Sequence, residues 1–162
     1  MSLDARDGLV VRAPHESDYL RLCQALDVWW DLDGIAGQGA QRTALLPRLF
    51  LQHFTDTSFL VEDGQTLVAF LIGFFSQSQS HVGYIHFVGV APAYRQRGLA
   101  RALYERFFDL CRQHGRREVH CITSPPNVRS VAFHRRLGFN VDGPVAEYDG
   151  PGRDRYVFVR YL

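Results

Sequence analysis

The stretch Val90-Ala91-Pro92-Ala93-Tyr94-Arg95-Gln96-Arg97-Gly98-Leu99-Ala100 joins an apolar strand to an amphipathic helix through a basic turn. The first N–H groups of a helix have no intrahelical acceptor, and the helix dipole adds positive charge there, so such a turn can hold a diphosphate. Gly98 and Ala100 leave room for close approach, and positive charge comes from Arg95, Arg97 and Arg101. The stretch therefore predicts a strand, an anion-binding turn and a helix in succession.

The composition limits what the rest of the chain can be. The 162 residues are 46% hydrophobic and 13% aromatic, which suits one globular domain over residues 1–162. Since 18 basic residues balance 17 acidic ones, nucleic-acid and membrane-surface binding are disfavoured. The three cysteines are widely spaced and outside any C-x-x-C pattern, which argues against disulfides and a zinc site. We expect a cytoplasmic protein without a metal.

Periodicity along the chain predicts elements in the order β α α β β β α β α β β. A helical apolar stripe runs from Tyr19 to Trp30, and a glycine-rich break follows it at residues 31–39. Because a crossover helix joins two strands within residues 82–123, we expect one parallel pair in an otherwise antiparallel sheet, with a ligand crevice at its carboxyl ends. The predicted strands are 8–12, 58–62, 66–75, 82–90, 118–123, 139–142 and 156–162, and the later helices are 42–54, 98–114 and 128–137.

A second cluster follows one strand after the basic turn, from Asn127 to Phe139. The pattern Val-x-Pro-x-x-Arg-x-x-Gly-x-Ala, followed about thirty residues on by Asn-x-x-Ser-x-x-Phe-His-x-x-x-Gly-Phe, resembles the GNAT family of acyl-CoA-dependent N-acetyltransferases. The similarity in motifs covers residues 84–140. It implies an α/β fold with a mostly antiparallel sheet, in which one parallel strand pair is splayed for acetyl-CoA.

The same resemblance implies how acetyl-CoA, as co-substrate, would be held. Main-chain groups of Val88 and Val90 would pair with the pantetheine arm. Asn127 would hydrogen-bond the cofactor, or would simply cap the helix that it precedes, and both readings stay open. The diphosphate would be bound by the backbone N–H groups of Gln96, Arg97, Gly98, Leu99 and Ala100, with Arg101.

The chemistry that the resemblance implies is direct attack of an amine on the thioester in a ternary complex. A backbone N–H near Gly89 or Val90 would polarise the carbonyl, which requires a bulge there. Where the family usually has a tyrosine acid, this chain has His134; its unperturbed pKa of about 6.5 suits a proton donor, or it could be a polar neighbour of the sulfur. His86 and Tyr84 share one strand face and are candidate bases, with a half-buried structural histidine as the favoured alternative for His86.

The acceptor site is less defined. Glu62 and Glu147 are weaker candidate bases, and ordered water is a further alternative. The resemblance places the acceptor near Trp29, Trp30 and Asp31, where Asp31 and Asp33 would attract a cationic amine; core packing is the favoured alternative for each tryptophan. We expect a small-molecule or peptide amine as substrate, and homodimers are common among similar proteins. A non-catalytic acyl-CoA-binding module is the alternative function.

Overall fold

The structure, a computed structural model, describes residues 8–31 and 42–162. Short 3-10 turns occur at Glu16–Asp18, Thr55–Thr57 and Pro92–Tyr94. The helices are α1 (Tyr19–Asp31), α2 (Phe50–His53), α3 (Leu99–Gln113) and α4 (Val128–Arg136). The strands are β1 (Leu9–Arg12), β2 (Phe59–Asp63), β3 (Thr66–Phe75), β4 (Val82–Val90), β5 (Glu118–Thr123), β6 (Asn140–Val145) and β7 (Arg155–Tyr161).

Seven strands form one mixed sheet in the order β1-β2-β3-β4-β5-β7-β6. β4 and β5 are parallel, and within the described residues their pairing runs from Val82 with Glu118 to Tyr84 with His120. Both strands continue beyond the last pair. This confirms the predicted fold class, a mixed sheet with one parallel pair flanked by helices.

The hairpin between β2 and β3 forms where the sequence predicts it. Asp63 pairs with Thr66 across the turn, and Gly64 has a φ of 58°, which favours glycine. Residues 67–73 of β3 are all buried, so both faces of this strand are covered. A continuous apolar run is therefore the pattern that this central strand requires.

The prediction of one continuous helix at residues 42–54 is wrong: residues 42–43 and Phe50–His53 (α2) are helical, but residues 44–49 between them are mostly turns. Pro47 lies in the middle of the predicted helix. Its nitrogen carries no hydrogen to donate, and its ring disfavours a helical conformation in the preceding residue. The glycine-rich break predicted at residues 31–39 lies, after Asp31, outside the described residues.

The chain divides into two compact units. One contains the described residues up to Phe74 together with Phe87–Phe107, and the other contains Phe75–His86 together with Phe108–Leu162. In the first unit, the apolar stripe of α1 packs on the sheet. The buried residues of this core include Leu22, Leu26 and Trp29 from α1 and Leu60, Phe70 and Phe87 from the strands. In the second, Phe108, Phe139 and Phe158 form an aromatic cluster. No helix within 8–31 and 42–162 is long and apolar enough to cross a membrane.

Charged groups anchor the edge strand β1 in the first unit. The Arg12 guanidinium contacts Asp18 at 2.8 Å and Glu62 at 2.9 Å, and Arg21 reaches Glu62 at 2.5 Å. Arg12 lowers the pKa of both carboxyls through these hydrogen bonds, although their partial burial opposes the shift. Glu62, a weaker candidate base in the sequence, is thus held ionised between two arginines.

Candidate active site

The backbone of the predicted anion turn, residues 95–100, takes an unusual path into α3. We refer to these six residues as the α3 turn. Arg95 is extended, Gln96 has a φ of 62°, and Gly98 has a φ of 80°. Gly98 tolerates a positive φ because it lacks a Cβ, whereas Gln96 does not have that freedom. Such non-glycine positions concentrate at functional sites.

The α3 turn presents main-chain groups to solvent. Gln96, Arg97 and Gly98 are exposed, and α3 runs for 15 residues from Leu99. The Gly98 carbonyl accepts the first helical hydrogen bond, from the Ala102 N–H at 3.0 Å. The N–H groups in the first turn of α3 therefore have no intrahelical acceptor, and the helix dipole makes this end favourable for an anion.

The three arginines of this region differ in their contacts. The Arg97 guanidinium lies 4.9 Å from the ring centroid of Tyr94, a cation–π distance. Arg101 pairs with Glu105 at 2.8 Å on the exposed face of α3. Arg95 instead donates to two main-chain carbonyls, those of Val90 and Trp29, each at 3.1 Å. The charge expected at the turn is thus exposed on Arg97 and Arg101, whereas Arg95 binds protein carbonyls.

The tryptophans at the end of α1 take part in the core of the first unit. Trp29 is buried and stacks on Phe70 with 5.7 Å between ring centroids, and the half-buried Trp30 contacts Phe87 edge-on at 5.6 Å. A Cβ on Gly89 would lie 2.6 Å from the Phe70 ring and 2.9 Å from Trp30. Gly89 therefore admits these rings beside β4. Asp31 ends α1, and Asp33 lies outside the described residues.

In the second unit, Asn127 caps α4. Its side-chain oxygen accepts the Ser130 N–H at 3.3 Å, and its amide nitrogen donates to the Thr123 hydroxyl at 3.1 Å. The capping alternative is confirmed. The second hydrogen on the amide nitrogen leaves contact with a cofactor chemically open.

His134 lies buried inside the aromatic cluster, with 5% of its surface exposed. Its ring stacks on Phe158 at 4.0 Å between centroids, and Nδ1 lies 2.7 Å from the Ser130 carbonyl oxygen. Because a carbonyl only accepts, this contact assigns the proton to Nδ1 and makes Nε2 an acceptor. Burial lowers the pKa of His134 to about 4, against a smaller opposing effect of the Ser130 hydrogen bond. His134 is therefore neutral near pH 7.

Titratable side chains also gather where the β4–β5 pairing ends. Tyr84 is the partner of His120 in the last parallel pair, and His120 Nε2 lies 2.8 Å from Glu118 Oε2. Burial raises the pKa of Tyr84, with smaller contributions from Cys121, Tyr148 and Asp149, so its phenol stays neutral. His86, the other candidate base on β4, is half-buried between the buried Ile85 and Phe87.

Glu118 and His120 are not among the site residues predicted from the sequence. Their signal is present in the chain, because residues two apart on a strand share a face and β5 was predicted to run beside β4. Applying that alternation to β5 as well as β4 would have found them. Of the predicted site residues, the first unit holds the α3 turn, Val88, Val90 and the tryptophans. The second unit holds His86, Asn127 and His134.

Comparison with known proteins assigns the chain to a family. An L-2,4-diaminobutyric acid acetyltransferase of Shouchella clausii is 29% identical over 89 residues, 55% of this chain, which spans half of that relative's length. N-alpha-acetyltransferase 30 of Schizosaccharomyces pombe is 24% identical over 119 residues, covering 70% of this chain and 77% of that protein.

Solved structures share the fold. The diaminobutyrate acetyltransferase EctA of Paenibacillus lautus, in complex with L-2,4-diaminobutyric acid and coenzyme A, has a TM-score of 0.68 at 21% identity, covering 93% of each chain. The model of the acetyltransferase (GNAT) family matches residues 23–139 of the sequence, including the α3 turn and α4. Since this match covers well over half of the sequence, the chain belongs to the acetyltransferase (GNAT) family.

Proposed function

We propose that residues 1–162 form one N-acetyltransferase domain that transfers an acetyl group from acetyl-CoA to a primary amine. The observation that carries the proposal is the exposed α3 turn, which leads through Gln96 and Gly98 into the open N-terminus of α3 in a chain of this family. The Paenibacillus lautus relative was solved with coenzyme A bound, which supports the choice of cofactor.

In this proposal the α3 turn holds the diphosphate of acetyl-CoA. The N–H groups of residues 96–100 would donate to the phosphate oxygens, and Arg97 and Arg101 would add charge. The pantetheine arm would run along the main chain of Val88 and Val90 as an added strand. In the reaction the amine nitrogen bonds to the acetyl carbon, the carbon–sulfur bond breaks, and one proton passes from nitrogen to sulfur.

We assign the removal of the amine proton to His120, oriented by Glu118. A general base needs a lone pair and a partner that holds its ring, and the 2.8 Å contact with the Glu118 carboxylate supplies the partner. The position at the end of the parallel pairing supports this choice, because ligands bind at the carboxyl ends of parallel strands. Tyr84, neutral beside it, would serve as a hydrogen-bond donor. His86 becomes the second candidate.

His134 takes a different role from the acid that the sequence suggests. With a pKa of about 4, only about one chain in a thousand carries the imidazolium at pH 7. We therefore propose His134 as a neutral group whose Nε2 accepts a hydrogen bond. The departing thiolate would recover the proton that the amine loses.

The experiment is an acceptor panel with acetyl-CoA, followed by release of the free thiol. It includes L-2,4-diaminobutyrate, polyamines and peptides with free N-termini, because the relatives are named for the first and last of these classes. With the best acceptor, His120→Gln is expected to lower kcat by about 10²-fold to 10⁴-fold, the usual contribution of a general base. Its Kd for acetyl-CoA should match that of the wild type.

The matched control is Arg112→Met, which removes an exposed cation outside the proposed site. An unchanged kcat in His120→Gln combined with a fall in His86→Gln would transfer the base assignment to His86. Tight binding of acetyl-CoA without thiol release for any acceptor would favour the non-catalytic module. Failure of the wild-type protein to bind acetyl-CoA would overturn the proposed function.

A further inference from the structure

Arg95 joins β4 to α1, two elements that lie far apart along the sequence. Its Nε donates to the carbonyl of Val90, the last residue of β4, and its Nη2 donates to the carbonyl of Trp29 near the end of α1. Both contacts measure 3.1 Å, and the side chain is half-buried. We call this pair of contacts the Arg95 bridge.

The chemistry of the bridge suits an arginine. The last four carbonyls of a helix have no intrahelical donor, and Trp29 is among the last four residues of α1, which ends at Asp31. A cation at this end is favoured by the helix dipole. The planar guanidinium has donors in a fixed fork that reaches two carbonyls at once, which a lysine ammonium cannot reproduce at the same spacing.

The same region also carries the aromatic contacts between α1 and the strands. Trp30 contacts Phe87 of β4, and a Cβ on Gly89 would clash with both Trp30 and Phe70. The end of β4 is therefore tied to the end of α1 by packing and by the Arg95 bridge. Since Arg95 is also the first residue of the α3 turn, a shift of the turn acts directly on the Trp29 carbonyl.

Resting on the proposed function, we propose that Arg95 is a positioning residue that links occupancy of the α3 turn to the end of α1, and that it is not a phosphate ligand. This departs from the charge role that the sequence suggests for Arg95 and leaves that role to Arg97 and Arg101. It also connects acetyl-CoA binding to the segment where the acceptor amine is expected.

The chain has a built-in reporter for this link, because its two tryptophans are Trp29 and Trp30. Tryptophan fluorescence, excited at a wavelength where tyrosine does not absorb, therefore reports on the end of α1 alone. The experiment compares wild type, Arg95→Lys, Arg95→Met and Arg97→Met, with Arg112→Met as the surface control. For each we would measure acrylamide quenching of unliganded protein, the fluorescence change at saturating acetyl-CoA, and the acetyl-CoA Kd by calorimetry at low and high salt.

Substitutions of Arg95 and of Arg97 should differ in their effects on fluorescence and on the acetyl-CoA Kd. Both Arg95 variants are expected to raise quenching and to lose the fluorescence change, while their Kd stays within about twofold of wild type with the same salt dependence. Arg97→Met should keep the fluorescence change at saturation but bind about tenfold more weakly, as for a lost charge-assisted hydrogen bond. Arg112→Met should match wild type throughout.

Opposite results would overturn the inference. If Arg95→Lys behaves as wild type while Arg95→Met binds weakly with reduced salt dependence, then Arg95 acts through its charge on the phosphates. Unchanged quenching and fluorescence in both Arg95 variants would also refute the bridge as a link. Absence of acetyl-CoA binding by the wild-type protein would count against the proposed function, whereas the quenching comparison tests the bridge without ligand.

Discussion

His134 shows how one buried side chain decides between two chemical roles. The spacing from Asn127 identifies the position but not its surroundings. The aromatic partner of His134, Phe158, lies 24 residues further along the chain, on β7. Burial against that ring lowers the pKa of His134 and keeps the imidazole neutral, against the smaller opposing effect of the Ser130 hydrogen bond. Its protonation state is therefore a tertiary property that local sequence cannot supply.

This environment predicts a pH-dependent stability. Because the pKa of His134 is lowered to about 4 in the folded protein and is about 6.5 in the unfolded chain, protons bind preferentially to the unfolded state between these values. The free energy of unfolding should therefore fall as pH decreases from about 6.5 to 4, by about 3 kcal/mol from this residue at most.

The comparison is with His134→Phe, which keeps an aromatic ring on Phe158 but does not titrate. Chemical denaturation at pH 7, 5.5 and 4.5 should show the wild type losing more stability on acidification than the variant. Parallel pH profiles for the two proteins would mean that the pKa of His134 is the same in the folded and unfolded states, and the acid role would then be restored.

Among the elements, α3 and α4 lie within one residue of their predicted bounds, and β6 extends to Val145, beyond its predicted end at residue 142. β3, β4 and β5 have the predicted bounds, because apolar runs and period-two alternation report directly on which faces are buried. The prediction of a continuous helix at residues 42–54 was wrong because the apolar residues on both sides of Pro47 follow a helical pattern. The Arg95 bridge could not be predicted either, since it joins residues 66 positions apart.

The N-terminus of α3 gives a test of the anion turn. Replacing Gly98 would strain the backbone as well as block a ligand, because its φ is 80°. Ala100→Leu is cleaner, since Ala100 is half-buried in a regular helix where leucine has a high propensity. We expect this variant to weaken acetyl-CoA binding by at least about tenfold through exclusion of the phosphate.

Ala102→Leu is the matched control on the same helix, with the same substitution at another half-buried alanine. Titration calorimetry of both variants gives the acetyl-CoA affinity, and thermal melts verify folding, so that a loss of binding is distinguished from a loss of stability. Equal affinity in the Ala100 and Ala102 variants would move the diphosphate away from the first turn of α3.

For the molecule as a whole, β1 is held by charge more than by burial, since none of its four residues is buried. Arg12 joins β1 to carboxylates from the 3-10 turn before α1 and from β2. Arg12→Met is expected to destabilise the protein by about 2 kcal/mol at pH 7, because it removes the guanidinium that pairs with the buried Asp18 and the half-buried Glu62.

The effect of Arg12→Met should depend on pH. The carboxyl pKa values of Asp18 and Glu62 are lowered by Arg12, so the stabilisation is present above about pH 4 and is lost as pH falls through those lowered values. Urea unfolding at pH 7 and pH 2.5 should show the difference from wild type shrinking in acid. Arg48→Met, which breaks an exposed pair with Glu16, should change little at either pH.

The left-handed conformation of Gln96 has a consequence for how the turn meets a ligand. A glycine at this position would adopt the same φ with less steric strain. Its backbone would, however, sample many more conformations in the unfolded chain and in a flexible turn. The strain at Gln96 is borne once, when the chain folds, and it lowers stability whether or not a ligand is present. Ordering a more flexible turn would instead be repeated in every binding event. Gln96 thus lowers folding stability slightly and gives a turn whose conformation is set before a ligand arrives.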